Sequence, residues 1–322
     1  MHFLRRLRER AGRSVPQLRW RTDGPPDPGQ EAARKIPACH QAKGCRVSDA
    51  PPPRILSIAG SDSSGGAGIQ ADIKTITMLG GYAMTALTAI TAQNTRGVQG
   101  VEPLPPQFVL DQVASCLSDI GADAIKIGML GSPETARLLA ERLDTFAGPI
   151  VFDPVMVATS GSVLADDETI AGFAALMDIA TIVTPNQPEL EILAGRGPLA
   201  DDGMFDAAHA LAERHGVQVL AKGGHGGDET QVVDRIASPS GKFASFAHTR
   251  LDTRHTHGTG CTLSAALATL LGHRQPLTHA IRIARAFTYA AIENAPGFGD
   301  GSGPLGHQAV RNRGERDQQP RS

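Results

Sequence analysis

The sequence has few cysteines and no long apolar run, and both absences narrow the class of protein. Its four cysteines among 322 residues show no paired C-x-x-C spacing, so we expect neither a disulfide framework nor a tightly bound structural metal. No stretch approaches the roughly 20 apolar residues that a membrane-spanning helix needs. The N-terminus lacks an apolar run after its basic residues, which argues against a secretory signal. We therefore expect a protein of the reducing cytoplasm that contacts no membrane.

Charge is divided unevenly along the chain. Residues 1–53 contain 11 Lys and Arg against 5 Asp and Glu, whereas the remainder contains 20 against 28. The acidic body argues against a nucleic-acid groove. The basic, Pro-rich residues 1–53 cannot bury enough apolar surface to offset chain entropy and predict a disordered extension. An organellar transit peptide and a start codon assigned too far upstream are alternatives. Residues 307–322 predict a second polar, disordered tail.

Between these ends, short apolar strands alternate with amphipathic helices. Strands are predicted at Arg54–Ala59, Tyr82–Ala92, Ala124–Ile127, Ile150–Phe152, Ile182–Val183, Val217–Ala221, Val232–Ile236 and Phe243–Ala247. Helices are predicted at Ile69–Leu79, Gln107–Leu117, from Pro133 to Leu143, Pro188–Ala194, Phe205–Arg214, Thr259–Leu271 and Leu277–Ala295. This alternation predicts one α/β domain over residues 54–306, with a parallel sheet covered by helices on both faces.

In such sheets, ligands bind beyond the C-terminal ends of the strands, where this sequence has unusual loops. The loop Gly60–Gly68 contains four glycines and leads to a helix N-terminus, so its backbone can approach a ligand closely. The alternative is a merely flexible loop. It is not a Walker phosphate-binding loop, because no Gly-Lys-Ser/Thr follows.

Two polar side chains lie where they can face a ligand. Asp72 falls between Ile69 and Ile73 on the apolar face of its helix, and an inward carboxylate needs a partner. That partner can be a substrate hydroxyl or amine, or a backbone group. Gln93 follows the second strand, and its amide offers a donor and an acceptor that can bind the edge of an aminopyrimidine ring. The alternative for this loop is a turn stabilised by Asn94.

Oxygen ligands and a lysine follow the later strands. Asp153, Asn186 and Glu189 can organise a hydrated Mg²⁺ beside ATP phosphates, because this ion prefers oxygen ligands and keeps several waters. Asn186 can also be a helix cap with Glu189 at the third helical position, and both roles can hold together. Lys222 ends a later strand, where its ammonium group can reach a phosphate, although surface lysines are the commoner case.

The strongest local signal is the segment Thr256–Thr262, which runs directly into a predicted helix. Backbone N–H groups at a helix start form an anion hole, and Gly258 and Gly260 remove the side chains that would block it. The alternative is a Gly-rich turn with a buried cysteine, Cys261.

These loops, in this order, resemble the bacterial hydroxymethylpyrimidine/phosphomethylpyrimidine kinases of thiamine biosynthesis, within the ribokinase-like superfamily. The matching segments are A-G-S-D-S-S-G-G-A-G-I-Q-A-D (59–72), A-Q-N-T-R-G-V (92–98), K-I-G-M-L (126–130), D-P-V-M (153–156), T-P-N-x-P-E (184–189), K-G-G-H (222–225) and T-H-G-T-G-C-T-L-S-A-A (256–266). Seven ordered blocks are far more specific than any one of them. The resemblance implies a ribokinase-like three-layer αβα sandwich with a mostly parallel central sheet.

The resemblance also implies roles for individual residues. The pyrimidine pocket would be lined by Gly60, Asp72, Gln93, Met129, Val155 and Cys261. The residues toward Mg·ATP would be Asn186, Glu189 and Lys222, with Asp153 beside them. The anion hole would be formed by Gly258, Thr259 and Gly260. The expected cofactors are ATP and Mg²⁺, and the expected partners are a small pyrimidine substrate and a second copy of the chain in a homodimer.

The implied activity is ATP-dependent phosphorylation of 4-amino-5-hydroxymethyl-2-methylpyrimidine to its monophosphate and then to its diphosphate. Cys261 at a helix N-terminus is expected to have a lowered pKa and to act as a thiolate base in the alcohol step. The alternatives are a pyridoxal kinase of the same superfamily and a non-catalytic ligand-sensing homologue. A dehydrogenase is excluded because no dinucleotide-binding fingerprint lies between a strand and a helix.

Overall fold

The computed structural model describes residues 51–312 apart from 159, 160, 198, 200 and 225–229. The described residues belong to one compact unit. Residues 1–50 of the predicted extension and residues 313–322 of the predicted tail lie outside the described part of the chain.

A central sheet organises the domain and has nine strands within the described residues. They are β1 (Arg54–Asp62), β2 (Tyr82–Asn94), β3 (Gly97–Pro103), β4 (Ala124–Ile127), β5 (Ile150–Phe152), β6 (Ile182–Val183), β7 (Gln218–Ala221), β8 (Gln231–Ala237) and β9 (Phe243–Thr249). Their order across the sheet is β3-β2-β1-β4-β5-β6-β7-β8-β9. The six strands from β2 to β7 in that order run parallel, and antiparallel strands close both edges.

Helices cover both faces of the sheet. They are α1 (Gly68–Met78), α2 (Pro106–Asp119), α3 (Pro133–Leu143), α4 (Asp167–Ile179), α5 (Gln187–Ala194), α6 (Asp201–His215), α7 (Thr259–Gly272), α8 (Leu277–Glu293) and a 3₁₀ helix, His307–Asn312. The helices α1, α7 and α8 pack on one face, and α2 to α6 pack on the other. Alternate residues of β1 serve the two cores, with Leu56 and Ile58 in one and Ile55 in the other. The predicted single-domain α/β sandwich is confirmed.

Two elements were absent from the sequence-based assignment. The helix α4 carries apolar residues on several sides, so it lacks the one-faced pattern by which amphipathic helices are recognised. The strand β3 is short and largely exposed, and it forms because β2 offers it an antiparallel partner. Within the described residues, no helix combines the length and apolarity required to cross a membrane.

The C-terminal boundary also differs from the prediction. The 3₁₀ helix continues the ordered body to Asn312, and His307 is buried with its Nε2 2.8 Å from Thr262 Oγ1. The polar tail therefore cannot begin at residue 307 as predicted, since this histidine packs against the first turn of α7.

Candidate active site

A cavity of about 660 Å³ lies beyond the C-terminal ends of the parallel strands. Each parallel strand contributes a residue at its end or in the loop that follows it, which is the usual place for a ligand in such sheets. The predicted site residues that border it are Gly60, Gln93, Met129, Asp153, Val155, Asn186, Glu189, Lys222, Gly258, Thr259, Gly260 and Cys261. The fold thus brings together side chains that are separated by up to 200 residues along the sequence.

The segment Gly258–Cys261, called here the anion-binding turn, opens α7 toward the cavity. Gly258 is the N-cap and has φ +86°, a left-handed conformation that favours glycine. A Cβ atom on Gly258 would lie 1.9 Å from the carbonyl oxygen of Gly66, so the Gly-rich loop touches the turn directly. A Cβ atom on Gly260 would lie 3.3 Å from Lys222 Nζ. The first-turn amides and the lysine therefore face the same space, where an anion would be stabilised.

Lys222 forms an ion pair at the cavity wall. Its Nζ donates to Asp153 Oδ1 at 2.8 Å and lies 3.9 Å from Glu189 Oε2. Thr184 Oγ1 also donates to Asp153 Oδ1, at 3.0 Å. Burial opposes ionisation of Asp153, but Lys222 and Lys126 outweigh it and hold the pKa of this carboxyl below its usual range. Burial raises the pKa of Glu189 to about 7, so a nearby cation would favour its ionised form.

Asn186 and Glu189 form the helix cap that the sequence left open as an alternative. Asn186 Oδ1 accepts from the Glu189 N–H at 2.9 Å, and Glu189 Oε2 accepts from the Asn186 N–H at 2.8 Å. This reciprocal pair is a complete capping box at the start of α5. The role of Asn186 toward Mg·ATP stays a prediction, and the cap holds both side chains at the cavity wall.

Asp72 is the predicted site residue that does not border the cavity. Its carboxylate is fully buried, and Oδ2 accepts from Lys126 Nζ at 2.9 Å and from Ser57 Oγ at 2.6 Å. The sequence offered a substrate group or a backbone group as the partner; the two partners in the structure are side chains, and substrate contact stays a prediction. Among the described residues, Oδ1 of Asp72 has no hydrogen-bond partner, so direct contact with a substrate stays a prediction for that atom.

Lys126 was missed as a site residue. It borders the cavity from the middle of the sheet and has no exposed surface. Burial opposes its charge, but Asp72, Cys261 and Asp153 together raise the pKa of Lys126 above its usual range. A lysine within the otherwise apolar strand A-I-K-I, together with an inward carboxylate on α1, was the available signal for a buried ion pair.

The expected thiolate at Cys261 is not supported. Burial raises the pKa of the Cys261 thiol to about 11, and the charges of Asp72 and Asp153 act in the same direction. Lys126 and a hydrogen bond from the Gly68 backbone act in the opposite direction and are outweighed. The prediction of a lowered pKa is therefore wrong, because burial favours the neutral thiol.

Gln93 shares the cavity with the anion-binding turn, and His257 connects the two. His257 Nε2 lies 3.3 Å from the Gln93 amide and 2.7 Å from Asp62 Oδ2. Asp62 ends β1 and caps the Gly-rich loop, where its Oδ2 accepts from the N–H groups of Gly66 and Ala67. His257 and Asp62 stood within the recognised sequence blocks, but spacing alone gave no reason to pair residues 195 positions apart.

The far end of the cavity is lined by a second ion pair. Arg285 Nε donates to Asp234 Oδ2 at 2.7 Å, and Asp234 Oδ1 accepts from the Gly223 N–H at 2.8 Å. The ring of His248 packs edge-on against Tyr289 beside them. These groups hold the backbone that follows Lys222. They were missed because Arg285 lies in the middle of an ordinary amphipathic helix.

The cavity fits Mg²⁺ that arrives with phosphate. Within the described part of the chain, no group of three His, Cys, Asp or Glu side chains is placed to hold a metal ion. Mg²⁺ usually keeps several waters and uses only one or two carboxylates together with substrate phosphates. Asp153 and Glu189 supply such carboxylates, and the raised pKa of Glu189 indicates a group that a cation would stabilise.

Comparison with known proteins identifies the family. The family model described as phosphomethylpyrimidine kinase matches residues 62–306. The chain is 39% identical to the hydroxymethylpyrimidine/phosphomethylpyrimidine kinase of Haemophilus influenzae, over 80% of this chain and 97% of that protein. It is 42% identical to the thiamine biosynthesis multifunctional protein of Corynebacterium efficiens over 88% of this chain, and it spans 38% of that relative's length.

A solved structure supports the same assignment at the level of fold. The pyridoxal kinase from Staphylococcus aureus in complex with AMP-PCP and pyridoxal matches with a TM-score of 0.75 and 34% identity, covering 82% of this chain and 96% of that one. The ribokinase-like fold implied by the sequence resemblance is thereby confirmed. With a family model that matches most of the chain, the protein belongs to the phosphomethylpyrimidine kinase family.

Proposed function

We propose that this protein transfers the γ-phosphoryl group of ATP to 4-amino-5-hydroxymethyl-2-methylpyrimidine, and then transfers a second one to the resulting monophosphate. The names of its relatives support this activity: the Haemophilus influenzae protein is a kinase of both substrates, and the Corynebacterium efficiens protein acts in thiamine biosynthesis. The substrate would be a small pyrimidine, and the product would serve thiamine diphosphate synthesis.

The observation that carries the proposal is the shared cavity of Gln93 and Gly260. A ring-binding amide and an anion-binding turn must face one space if a pyrimidine is to receive a phosphoryl group. Both residues border the same cavity, and His257, three residues before Gly260, lies 3.3 Å from the Gln93 amide. An acceptor bound at Gln93 would therefore lie beside a phosphate held by the turn.

Phosphoryl transfer depends chiefly on position and on charge stabilisation. In the first step the hydroxymethyl oxygen bonds to the γ-phosphorus, the bond from that phosphorus to the β,γ-bridging oxygen breaks, and ADP leaves. In the second step a phosphate oxygen of the monophosphate takes the place of the hydroxyl. The amides of the anion-binding turn and the Lys222 ammonium group would stabilise the charge on the transferring group. A bound Mg²⁺ would offset phosphate charge, with Asp153 and Glu189 as the residues to hold it.

The two steps differ in their need for a base. The hydroxymethyl group must lose a proton as its oxygen bonds to phosphorus, whereas a phosphate monoester is already largely ionised at neutral pH because its second pKa is about 6. A loose transition state requires little activation of the nucleophile, so the proton can leave late and pass to an oxygen of the transferred phosphoryl group or to water. We therefore assign Cys261 to the wall of the anion-binding turn, where its neutral thiol contacts the acceptor, and we do not assign it the role of a thiolate base.

A pyridoxal kinase is the second candidate, because the Staphylococcus aureus enzyme that binds AMP-PCP and pyridoxal has the same fold at 34% identity. The deciding experiment is a coupled assay of ADP release by the full chain with Mg·ATP and one of three acceptors: the hydroxymethylpyrimidine, its monophosphate or pyridoxal. We expect release with both pyrimidines and a lower kcat/KM for pyridoxal. Activity with pyridoxal alone would overturn the proposal, and pyrimidine binding without ADP release would favour a ligand sensor. The expected homodimer stays a prediction that sedimentation analysis would test.

A further inference from the structure

We propose that His257 and Thr91 fix the orientation of the Gln93 amide, with its oxygen toward His257 and its amino group toward Thr91, and that Asp62 holds His257 in place for this purpose. The three are positioning residues that act through Gln93 on substrate selection. The inference rests on the proposed function, because it concerns how the enzyme selects and orients an aminopyrimidine ring.

Asp62 is buried and ionised. Its carboxylate accepts hydrogen bonds from Ser64, Gly66, Ala67 and His257. Burial alone would raise the pKa of Asp62, but these hydrogen bonds outweigh it and hold the pKa below its usual range. An ionised carboxylate can only accept, so the His257 Nε2 atom 2.7 Å away must carry a proton. This conclusion holds for the neutral ring and for the imidazolium alike.

The proton on His257 dictates which amide atom faces it. The structure has Gln93 Nε2 at 3.3 Å from His257 Nε2 and Gln93 Oε1 on the side of Thr91. The His257 N–H is directed at Asp62, and an amide oxygen can share it as a second acceptor, whereas an amide NH₂ group cannot. With the amide nitrogen on this side, two donors point at each other, so the inferred orientation is the one reached by a half-turn of the amide. A half-turn of the amide group exchanges its nitrogen and oxygen without moving the rest of the side chain. The two atoms are almost the same size, so the hydrogen-bond partners decide which orientation is stable.

Thr91 independently requires the same orientation. Its Oγ1 lies 2.9 Å from the carbonyl oxygen of Ser61 and 3.1 Å from Gln93 Oε1, the atom that a half-turn of the amide would exchange for Nε2. A carbonyl oxygen only accepts, so the hydroxyl proton belongs to Ser61 and a lone pair faces Gln93. The amide group on this side must therefore be the donor. Two neighbours on opposite sides of the amide thus agree on one arrangement.

The main chain of Gln93 is held as well. Its N–H donates to Ser63 Oγ at 2.9 Å, and the Ser63 hydroxyl donates to its carbonyl oxygen at 3.0 Å. The amide then has one N–H and one lone pair left for the cavity. An aminopyrimidine edge presents an accepting ring nitrogen next to a donating amino group. The free N–H of the amide can bind the ring nitrogen while the free lone pair accepts from the amino group, and this pairing is possible in only one orientation of the ring. The fixed amide would therefore set which edge of the ring points toward Gly260.

The test measures two acceptors, the aminopyrimidine and an analogue that lacks its amino group. It uses the variant His257→Phe, which keeps a flat ring but removes the hydrogen bonds. We expect kcat/KM for the aminopyrimidine to fall about 10- to 100-fold, because the amide is no longer held for its amino group. We expect kcat/KM for the analogue without the amino group to change less than about 3-fold. His257→Gln, which can still donate to Asp62, should restore part of the difference. An equal loss with both acceptors would overturn the proposal, since it would mark a merely structural role.

His215→Phe is the matched control. It breaks another His–Asp contact of 2.7 Å, with Asp178, outside the cavity, and it should leave both values unchanged. If His257→Phe does not fold, ¹⁵N NMR of the wild-type imidazoles decides the orientation, because Nε2 of His257 must be protonated at pH 7. An unprotonated Nε2 would overturn the inference. Failure of the wild type to phosphorylate any aminopyrimidine would instead refute the proposed function, while the NMR result would still decide the orientation of the amide.

Discussion

Two Lys–Asp pairs flank the anion-binding turn, and they differ in their access to the cavity. Lys126 and Asp72 join β4 to α1 across 2.9 Å, and neither side chain has any exposed surface. Lys222 and Asp153 follow β7 and β5 and are 2.8 Å apart, with 15% of the Lys222 side chain exposed. The chemistry of the two pairs is the same, but only one of them is open to a ligand.

The difference in exposure indicates different roles for the two pairs. In the buried pair neither side chain is exposed to water, so the loss of one partner leaves a buried charge that water cannot solvate. In the open pair, water or a phosphate oxygen can take the place of a carboxylate at the lysine. We infer that Lys126 contributes chiefly to the stability of the sheet beneath the cavity, and that Lys222 contributes chiefly to phosphoryl transfer.

The largest expected effect tests the buried pair. Lys126→Met should lower the free energy of unfolding by about 3–5 kcal/mol, because it leaves the Asp72 carboxylate buried without its cation. Urea denaturation would measure this loss. The double variant Lys126→Met with Asp72→Asn removes both charges and should recover a large part of the stability. If the double variant is as unstable as the single one, the pair is not the source of the stability.

Loss of the lysine in the open pair should reduce catalysis more than it reduces stability. Lys222→Met should lower kcat for phosphoryl transfer by about 100-fold or more, because it removes a cation from the transferring group. Its effect on the free energy of unfolding should be smaller than that of Lys126→Met, since water in the cavity can replace the ammonium group beside Asp153. Lys222→Arg keeps the charge and serves as the control. If Lys222→Met lowers the free energy of unfolding as much as Lys126→Met does, the two pairs do not differ in role.

The smallest expected effect concerns Cys261, which lies between the two pairs. With a pKa of about 11, the thiolate fraction below that pH rises about tenfold for each pH unit, so alkylation of Cys261 by iodoacetamide should accelerate steadily from pH 7 to pH 10. Peptide mapping by mass spectrometry would separate this thiol from Cys116. A rate that levels off near pH 8 would show that the thiol pKa is not raised, and it would support Cys261 as a thiolate base.

The same property governs the variant Cys261→Ser. Because the thiol is neutral, we expect similar losses of less than about tenfold with the alcohol and with the monophosphate as acceptors. The ADP assay would measure both. A selective loss with the alcohol would indicate that Cys261 removes its proton, and the description of Cys261 as a neutral wall residue would then be wrong.

The outline of the fold and the loops that border the cavity were predictable because they depend on local patterns. Apolar strands alternating with helices predicted the parallel sheet, and glycines at the start of α7 predicted the anion-binding turn. The helix α4 was missed because its apolar residues do not lie on one face. The strand β3 depends on its neighbour β2, which no local pattern records.

What the sequence determined by itself was the class of fold, the loops that carry the chemistry and the residue types that face a ligand, because spacing and glycine content act over a few residues. Only the tertiary structure decided which charges meet. It paired Asp72 with Lys126, joined His257 to Asp62 across 195 positions, and buried the Cys261 thiol so that its pKa rises. Desolvation and charge compensation depend on every neighbour in space, and these neighbours come together only when the chain is folded.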